Sequence, residues 1–168
     1  MRLLLLRHAP AEDRASFAET GRTDAERPLT EEGRRRMRKV AEALAGQVPE
    51  VRLIATSRHL RARESAEILA RALPERPVLS EQAEFEPDGT SAAMLKFVQS
   101  QKSLPFLACV GHEPNLSRFA SLLLSGRDRS FLELRKGGAC LLEFSGRVAP
   151  GAATLLWHLT ASQARALR

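Results

Sequence analysis

The sequence predicts an α/β fold: a three-layer α/β/α sandwich with a mostly parallel central sheet and an antiparallel hairpin near the C-terminus. Three observations predict it. Short apolar runs of strand type alternate with segments of helical period, which is the pattern of successive βαβ units. The most strand-like run of the middle, Phe106 to Gly111, leads straight into a polar turn and another helical segment. The last two apolar runs, Ala139 to Phe144 and Ala152 to Leu159, are joined by the turn-like stretch SGRVAPG and are expected to pair antiparallel at one side of the sheet.

In chain order, Leu3 to Leu6 reads as a buried strand that stops abruptly at Arg7-His8-Ala9-Pro10. It is too short to span a membrane and lacks the basic flank, longer apolar stretch and cleavage site of a signal peptide. A long polar loop with one irregular turn is expected from Ala11 to Pro28. Thr30 then stands as an N-cap with Glu31 and Glu32 in the first turn, and Met37, Val40, Ala41 and Leu44 give the helix one apolar face before Gly46 and Pro49 end it. Val51 to Ala55 is a second strand. A helix from about His59 to Leu73 follows, with Ala62, Ala66, Leu69 and Leu73 on one face, stopped by Pro74 and Pro77. A short strand near Val78 and Leu79 precedes the acidic loop AEFEPDG. Met94, Phe97 and Val98 mark a further helix, and Leu116, Phe119, Ala120 and Leu123 another. With no repeat, low-complexity tract or linker in view, residues 1–168 are expected to form one domain, long enough to bury a sizeable core.

Composition excludes more than it identifies. At 43% hydrophobic and 27% charged, the chain is of ordinary globular type, and with no long apolar segment it is expected in the cytoplasm without a membrane partner. Cys109 and Cys140 sit inside the apolar stretches FLACVG and ACLLEF and read as reduced, packed thiols; no metal-ligand spacing is present, and no cofactor is expected. The formal charge of +6 favours anionic partners. Of the 26 basic residues 22 are arginine, so no arginine is informative until its neighbours make it so. The run RRRMRK from Arg34 to Lys39 alternates with an apolar helical face, and the chain has no tyrosine and 5% aromatics. It is therefore a solvated helix surface rather than a nucleic-acid interface.

The four histidines divide by position. His8 and His112 each follow directly on a buried-type strand, whereas His59 lies near a helix start and His158 inside the last strand. Ligand crevices in open α/β sheets form at the carboxyl ends of parallel strands, so His8 and His112 are placed to face each other. Taken singly, each is most simply a satisfied polar residue. Their order along the chain is more specific: a strand then Arg7-His8; Arg27-Pro28-Leu29-Thr30 with Gly33; a strand then Ser57 and Leu60-Arg61-Ala62; Glu84 in a loop; a strand then Gly111-His112.

That series resembles the histidine phosphatase superfamily, with its phosphoglycerate mutase-like fold, over nearly the whole chain. The short length and the form of the motifs are most similar to its SixA-like phosphohistidine phosphatases. The resemblance implies that Arg7 and the nucleophile His8 correspond to the family's RHG motif, and that TSRHLRARES, with Ser57, Arg61 and Ala62, corresponds to S-P-x-x-R-A-x-x-T. It further implies that His112 in VGHEPN is the second pocket histidine, that Glu84 occupies the place of the loop acid that donates a proton, and that RPLTEEG is the stretch leading into the first long helix. Glu86 and Asp88 are alternatives for the proton donor, and a solvated acidic turn is a third reading of that loop. Ala9 stands where the motif has glycine, Arg58 where proline is usual and Ser65 where threonine is usual. Arg63 rivals Arg61 by proximity, but two positions along a helix is about 200° around its axis, so both cannot face one phosphate.

The chemistry asks for the same residue types. Catalysis of phosphoryl transfer is chiefly positioning and electrostatic stabilisation, and arginines match phosphate oxygens with paired donors that stay charged at neutral pH. A histidine attacks phosphorus only through a neutral ring nitrogen, so His8 needs its other nitrogen held, and a backbone carbonyl is the expected partner. A protonated His112 would add positive charge. The brief segments between motifs imply an open site that admits a phosphohistidine on another protein as well as small phosphomonoesters. A non-catalytic phosphate-binding module is the remaining alternative. The longest candidate for a specificity loop is Ala11 to Pro28, with Arg14, Arg22 and Arg27; Lys136 lies at the rim or is a plain surface residue.

Overall fold

Four leucines in a row, Leu3 to Leu6, form the interior of β1 (Arg2–Arg7), and the period-two alternation of a strand sends their side chains to both faces of the sheet. Leu4 and Leu6 enter one core, Leu3 and Leu5 another, and all four are fully buried. The run is apolar throughout because neither face of this strand meets water. The computed structural model describes residues 1–167; Arg168, the last residue of the expected single domain, lies outside the described residues.

Six strands make one sheet. β2 (Leu53–Thr56), β3 (Val78–Glu81), β4 (Phe106–Gly111), β5 (Ala139–Glu143) and β6 (Thr154–Leu159) join β1 in the order β3-β2-β4-β1-β5-β6. The pairs β3–β2, β2–β4 and β4–β1 are parallel; β5 runs antiparallel to β6, as the closing hairpin predicts, and also to β1. The helices are α1 (Arg14–Ala18), α2 (Glu31–Ala45), α3 (Leu60–Ala72), α4 (Ser91–Ser100), α5 (Asn115–Ser125) and α6 (Ala161–Ala166). Met37, Val40, Ala41 and Leu44 of α2, Ala66 and Leu69 of α3 and Ala164 of α6 pack with Leu4 and Leu6. Met94 and Val98 of α4 with Leu116, Phe119 and Leu123 of α5 pack with Leu3 and Leu5. The result is the three-layer sandwich.

This layering opens the site. The chain leaves β1 for the face covered by α2 and leaves β4 for the face covered by α5, so between these two neighbouring strands the connections diverge. A crevice is expected at their carboxyl ends.

Several boundaries differ from expectation. The segment from Ala11 to Pro28 holds α1 and a 3₁₀ turn at Asp24–Glu26. Asp13 caps α1 by accepting the N–H groups of Ala15 and Ser16, and Phe17 alone of its five residues is buried, too few for an apolar period to show. A final helix, α6, was not anticipated; Thr160 and Gln163 form its capping box, a T-x-x-Q signature that the sequence does carry. The strand expected at Val51 begins at Leu53, and the one expected at Ala152 begins at Thr154.

The basic run on α2 is paired with acids: Arg34 with Glu31 and Glu64, Arg35 and Arg36 with Glu32. Cys109 and Cys140 are buried free thiols on β4 and β5, each facing Leu5 of β1 between them, so the middle strand separates them. No helix among the described residues is long and apolar enough to cross a membrane.

Candidate active site

Arg7 and Gly111 are register partners in β1 and β4, so the residues that follow them leave the sheet side by side. The His8 N–H donates to the Gly111 carbonyl at 3.1 Å, and the rings of His8 and His112 lie 5.0 Å apart between centroids. From the other side, the Gly137 N–H donates to the carbonyls of Arg7 (3.2 Å) and His8 (3.1 Å). Gly137 has φ +73°, in the left-handed region that glycine enters at little cost, which explains the KGG turn.

His8 Nδ1 is 2.7 Å from the carbonyl oxygen of Ala9. A carbonyl only accepts, so Nδ1 carries the proton and Nε2 keeps its lone pair. The turn that makes this contact is tied down twice. The Ala9 N–H donates to Ser65 Oγ at 3.0 Å, and the Ser65 hydroxyl donates to the Arg61 carbonyl at 2.8 Å. Ser65, in the place where the motif has threonine, thus joins the turn after His8 to the helix that carries Arg61. Arg76 is the one non-glycine with positive φ among the described residues, so Ala9 adopts a backbone open to any residue. One residue on, the Pro10 carbonyl accepts the Thr30 N–H at 3.1 Å, and a Cβ on Gly33 would stand 2.0 Å from that same oxygen. The stretch RPLTEEG is the surface on which the backbone beyond His8 rests.

Arg7 and Arg61 face the same cleft, of about 270 Å³, lined also by His8 and His112. Arg7 Nη1 donates to the Leu134 carbonyl at 2.9 Å; Arg61 Nη1 donates to the Asp24 carbonyl at 2.8 Å and Nη2 to Asp24 Oδ2 at 3.0 Å. Arg63 is turned away, pairing with Glu67 at 3.8 Å and Glu81 at 3.5 Å, as the angular argument requires. His112 Nε2 is 2.9 Å from Ser57 Oγ. His59, given no role by its position in the sequence, brings a third ring to the group with its centroid 5.2 Å from that of His112.

Four buried nitrogens of these residues have no hydrogen-bond partner: Arg7 Nε, Arg61 Nε, His112 Nδ1 and His59 Nδ1. An unsatisfied buried polar atom costs about 1–3 kcal/mol, so the three that belong to residues lining one cleft, Arg7, Arg61 and His112, point to an anion that satisfies them; His59 Nδ1 lies 3.8 Å from Asp24 Oδ2. Burial pushes the His8 pKa down to about 3, against the pull of the Ala9 hydrogen bond and helped by the charges of Arg61, Arg7 and Lys136. Burial, with the neighbouring His8 and Arg61, pushes His112 down to about 2. Both rings are neutral at physiological pH, so His112 alone does not bring the positive charge that a protonated ring would. Burial also lowers the guanidinium pKa of Arg7 and Arg61.

The acidic loop is arranged differently from its sequence. Pro87 reaches the cleft lining, whereas Glu84 is not among the lining residues; it sits in a 3₁₀ turn at Ala83–Phe85. Glu86 turns to Arg58 at 3.7 Å, and Asp88 borders a neighbouring cleft with Ser91 and Arg118. Asn115 of the GHEPN stretch pins this loop by donating to the carbonyls of Glu86 (3.2 Å) and Pro87 (2.8 Å). Two carboxyls do line the cleft, Asp24 and Glu113. Sequence reasoning gave neither a role. Glu113 stood beside His112 in a stretch already singled out; Asp24 had no signal beyond being an acid in an arginine-rich loop. Arg14, Arg27 and Lys136 complete the rim, which settles Lys136 at the cleft.

Comparison with known proteins fits this architecture. The family model described as histidine phosphatase superfamily (branch 1) matches residues 3–86. An uncharacterized protein of Picosynechococcus is 37% identical over 141 residues, covering 82% of each chain. Among solved structures, the protein histidine phosphatase SixA complexed with tungstate superposes with a TM-score of 0.81 at 21% identity, covering 96% of this chain and 98% of that one. The alpha-ribazole phosphatase of Shigella flexneri superposes with a TM-score of 0.70 at 16% identity, covering 96% and 97%. At these identities the two structures speak for the fold.

Proposed function

Because this chain belongs to branch 1 of the histidine phosphatase superfamily, we propose that this phosphatase hydrolyses phosphohistidine displayed on another protein, carrying the phosphoryl group on His8 between two displacements. The observation that carries the reading is the set of buried, unpartnered nitrogens of Arg7, Arg61 and His112 gathered around the free Nε2 of His8. A phosphoryl group seated there takes its peripheral oxygens to the two guanidiniums, which match them with planar paired donors. His8 Nε2 attacks phosphorus, the leaving group departs with its electron pair, and water then displaces the phosphoryl group from His8. The negative charge of the phosphate raises the pKa of His112 from its low value, so a proton on that ring becomes favourable when the anion is present. Glu84 is not among the residues lining the cleft and belongs to the loop that Asn115 holds through the Glu86 and Pro87 carbonyls.

Protein phosphohistidine is favoured over small esters by what covers the cleft. The segment from Ala11 to Pro28 contributes Arg14, Asp24 and Arg27 to the cleft lining with only the short α1 and the 3₁₀ turn at Asp24–Glu26, and the rim is basic, with Arg14, Arg27 and Lys136. A phosphate at the end of an imidazole projecting from a folded partner reaches such a site unobstructed. The structural likeness to SixA, a protein histidine phosphatase, supports the same substrate class. The two buried free thiols support a cytoplasmic setting. The test is a comparison of kcat/KM for a phosphohistidine-bearing protein and for p-nitrophenyl phosphate. A preference of ~10²-fold or more for the protein is expected. Equal values would replace the reading by a broad phosphomonoesterase, and a His8→Ala protein that kept all its activity would overturn the enzyme itself.

A further inference from the structure

The two carboxyls that line the cleft, Asp24 and Glu113, are held in opposite ways. Asp24 Oδ2 is 3.0 Å from Arg61 Nη2, and its Oδ1 is 2.8 Å from Arg27 Nε and 3.6 Å from Arg14 Nε. A carboxyl gripped by three guanidiniums is an anion and has no proton to give. Glu113 has no ion pair among the described residues; its Oε1 accepts a hydrogen bond from the Ser117 hydroxyl at 2.7 Å, the Ser117 backbone N–H also bonds its carboxyl, and the residue lines the cleft. Ser117 is itself fixed, accepting the Leu134 N–H at 3.1 Å, and the carbonyl of the same Leu134 holds Arg7. Glu113 and the phosphate-binding Arg7 are therefore positioned from one residue. The glutamate follows His112 directly, at the mouth of the gap between β1 and β4.

Resting on the reading that His8 takes the phosphoryl group, we infer that Glu113, rather than an acid of the 83–89 loop, is the proton donor and acceptor of the reaction. In the first displacement the His8 Nε2 lone pair forms the N–P bond, the bond from phosphorus to the leaving group breaks with its pair going to that group, and the Glu113 carboxylic acid gives its proton to it. In the second, the Glu113 carboxylate takes a proton from water as the water oxygen bonds to phosphorus. The P–N bond then breaks with its pair returning to His8, and inorganic phosphate leaves. The groups facing Glu113 are Ser117 of α5, Arg7 of β1, the Cys140 thiol of β5 and Glu133 of the loop before β5. Burial raises its pKa, the Ser117 bond and the Arg7 charge pull it down, and Glu133 adds to the rise. Two carboxyls whose surroundings push their pKa values apart are the usual basis for such an assignment.

The proposal is tested by the leaving group. Glu113→Gln keeps the shape and the Ser117 contact but cannot give a proton. It is expected to lower kcat/KM for alkyl phosphates, whose alkoxide needs a proton, by ~10²- to 10⁴-fold, and for p-nitrophenyl phosphate by less than about threefold. The parent protein provides a second measurement that needs no variant: across aryl phosphates of rising leaving-group pKa, kcat/KM stays nearly flat, and for the poor leaving groups it falls as pH rises through the Glu113 pKa. An equal loss in Glu113→Gln for all substrates, or a steep leaving-group dependence in the parent, overturns the role. So does a selective loss for alkyl phosphates in Glu84→Gln with Glu113→Gln unaffected. Failure of the phosphotransfer reading is a separate result, seen as turnover of p-nitrophenyl phosphate that survives unchanged in His8→Ala.

Discussion

Asp24 grips Arg61 at both ends of its guanidinium, through its backbone carbonyl at 2.8 Å and its carboxylate at 3.0 Å. Burial pushes the Asp24 carboxyl up, but the Arg27 hydrogen bond and the charges of Arg61, Arg27 and Arg14 outweigh it and hold the pKa below the ordinary carboxylate value. Arg61, to which the proposed function gives the phosphate, is thus preset, and its holder is an anion that a phosphate bound there must approach. Asp24→Asn keeps the shape and removes the charge. Loss of about 1 kcal/mol of repulsion lowers the inhibition constant of inorganic phosphate several-fold with kcat little changed. A weaker grip on phosphate would show that the charge of Asp24 serves to aim Arg61.

Arg61 and Arg63 are two residues apart on α3 and face different surroundings. Arg61→Ala is expected to cost ~10²- to 10³-fold in kcat/KM, and Arg61→Lys to recover little of it, since a point charge cannot reproduce the planar fork. Arg63→Ala, which breaks only exposed pairs with Glu67 and Glu81, stays within about twofold. Steady-state kinetics on one aryl phosphate separates the two.

Ser65 ties the turn after His8 to α3. Ser65→Ala leaves the buried Ala9 N–H without an acceptor and is expected to destabilise the protein by about 1–3 kcal/mol. It also lowers kcat, because the Ala9 carbonyl that holds His8 Nδ1 is released with it. Ser65→Thr keeps the hydroxyl and restores both quantities. Ala9→Gly retains activity, since Ala9 does not occupy a glycine backbone conformation. Thermal melts and initial rates check all three.

The neutral histidines couple the site to pH. Each imidazole titrates near 6.5 in the unfolded chain, but His8 is pushed down to about 3 and His112 to about 2 in the fold, by burial first and by neighbouring charges second. Between pH 6.5 and about 3 the unfolded chain therefore binds more protons, and stability falls as pH falls; above 6.5 the contribution is fully present. Each ring adds about 1.4 kcal/mol of loss per pH unit within that window. The midpoint of thermal unfolding should hold level near neutrality and drop below pH 6.5, with a shallower drop in His112→Asn.

Much of this was legible in the residues, for physical reasons that differ from place to place. Leu3 to Leu6 announced a strand buried on both faces because no other short element hides four consecutive leucines. Arg61 was separable from Arg63 because helix geometry forbids one phosphate to both. His8 and His112 could be matched because parallel strands deliver their following residues to one end of a sheet. Asp24 was not legible: its contact with Arg61 spans 37 residues and depends on how a loop anchored by Phe17 folds over the cleft. Glu84, Glu86 and Asp88 are plainly acidic in sequence, whereas Glu113, which lines the cleft with Asp24, is brought there by the exit of β4. Two features were missed with a signal in hand: α6, marked by the Thr160 and Gln163 capping box, and Glu113, next to His112 in the stretch GHEPN.

The central claim is that His8 itself becomes phosphorylated, and trapping that intermediate tests it most directly. Rapid acid-free quenching of the protein during turnover of a phosphohistidine protein, followed by peptide mass spectrometry, should find an acid-labile phosphoryl group on the peptide that contains His8, and none in a His8→Asn protein. Continued turnover with no label on any histidine, or with an acid-stable phosphate on another residue, would contradict the account.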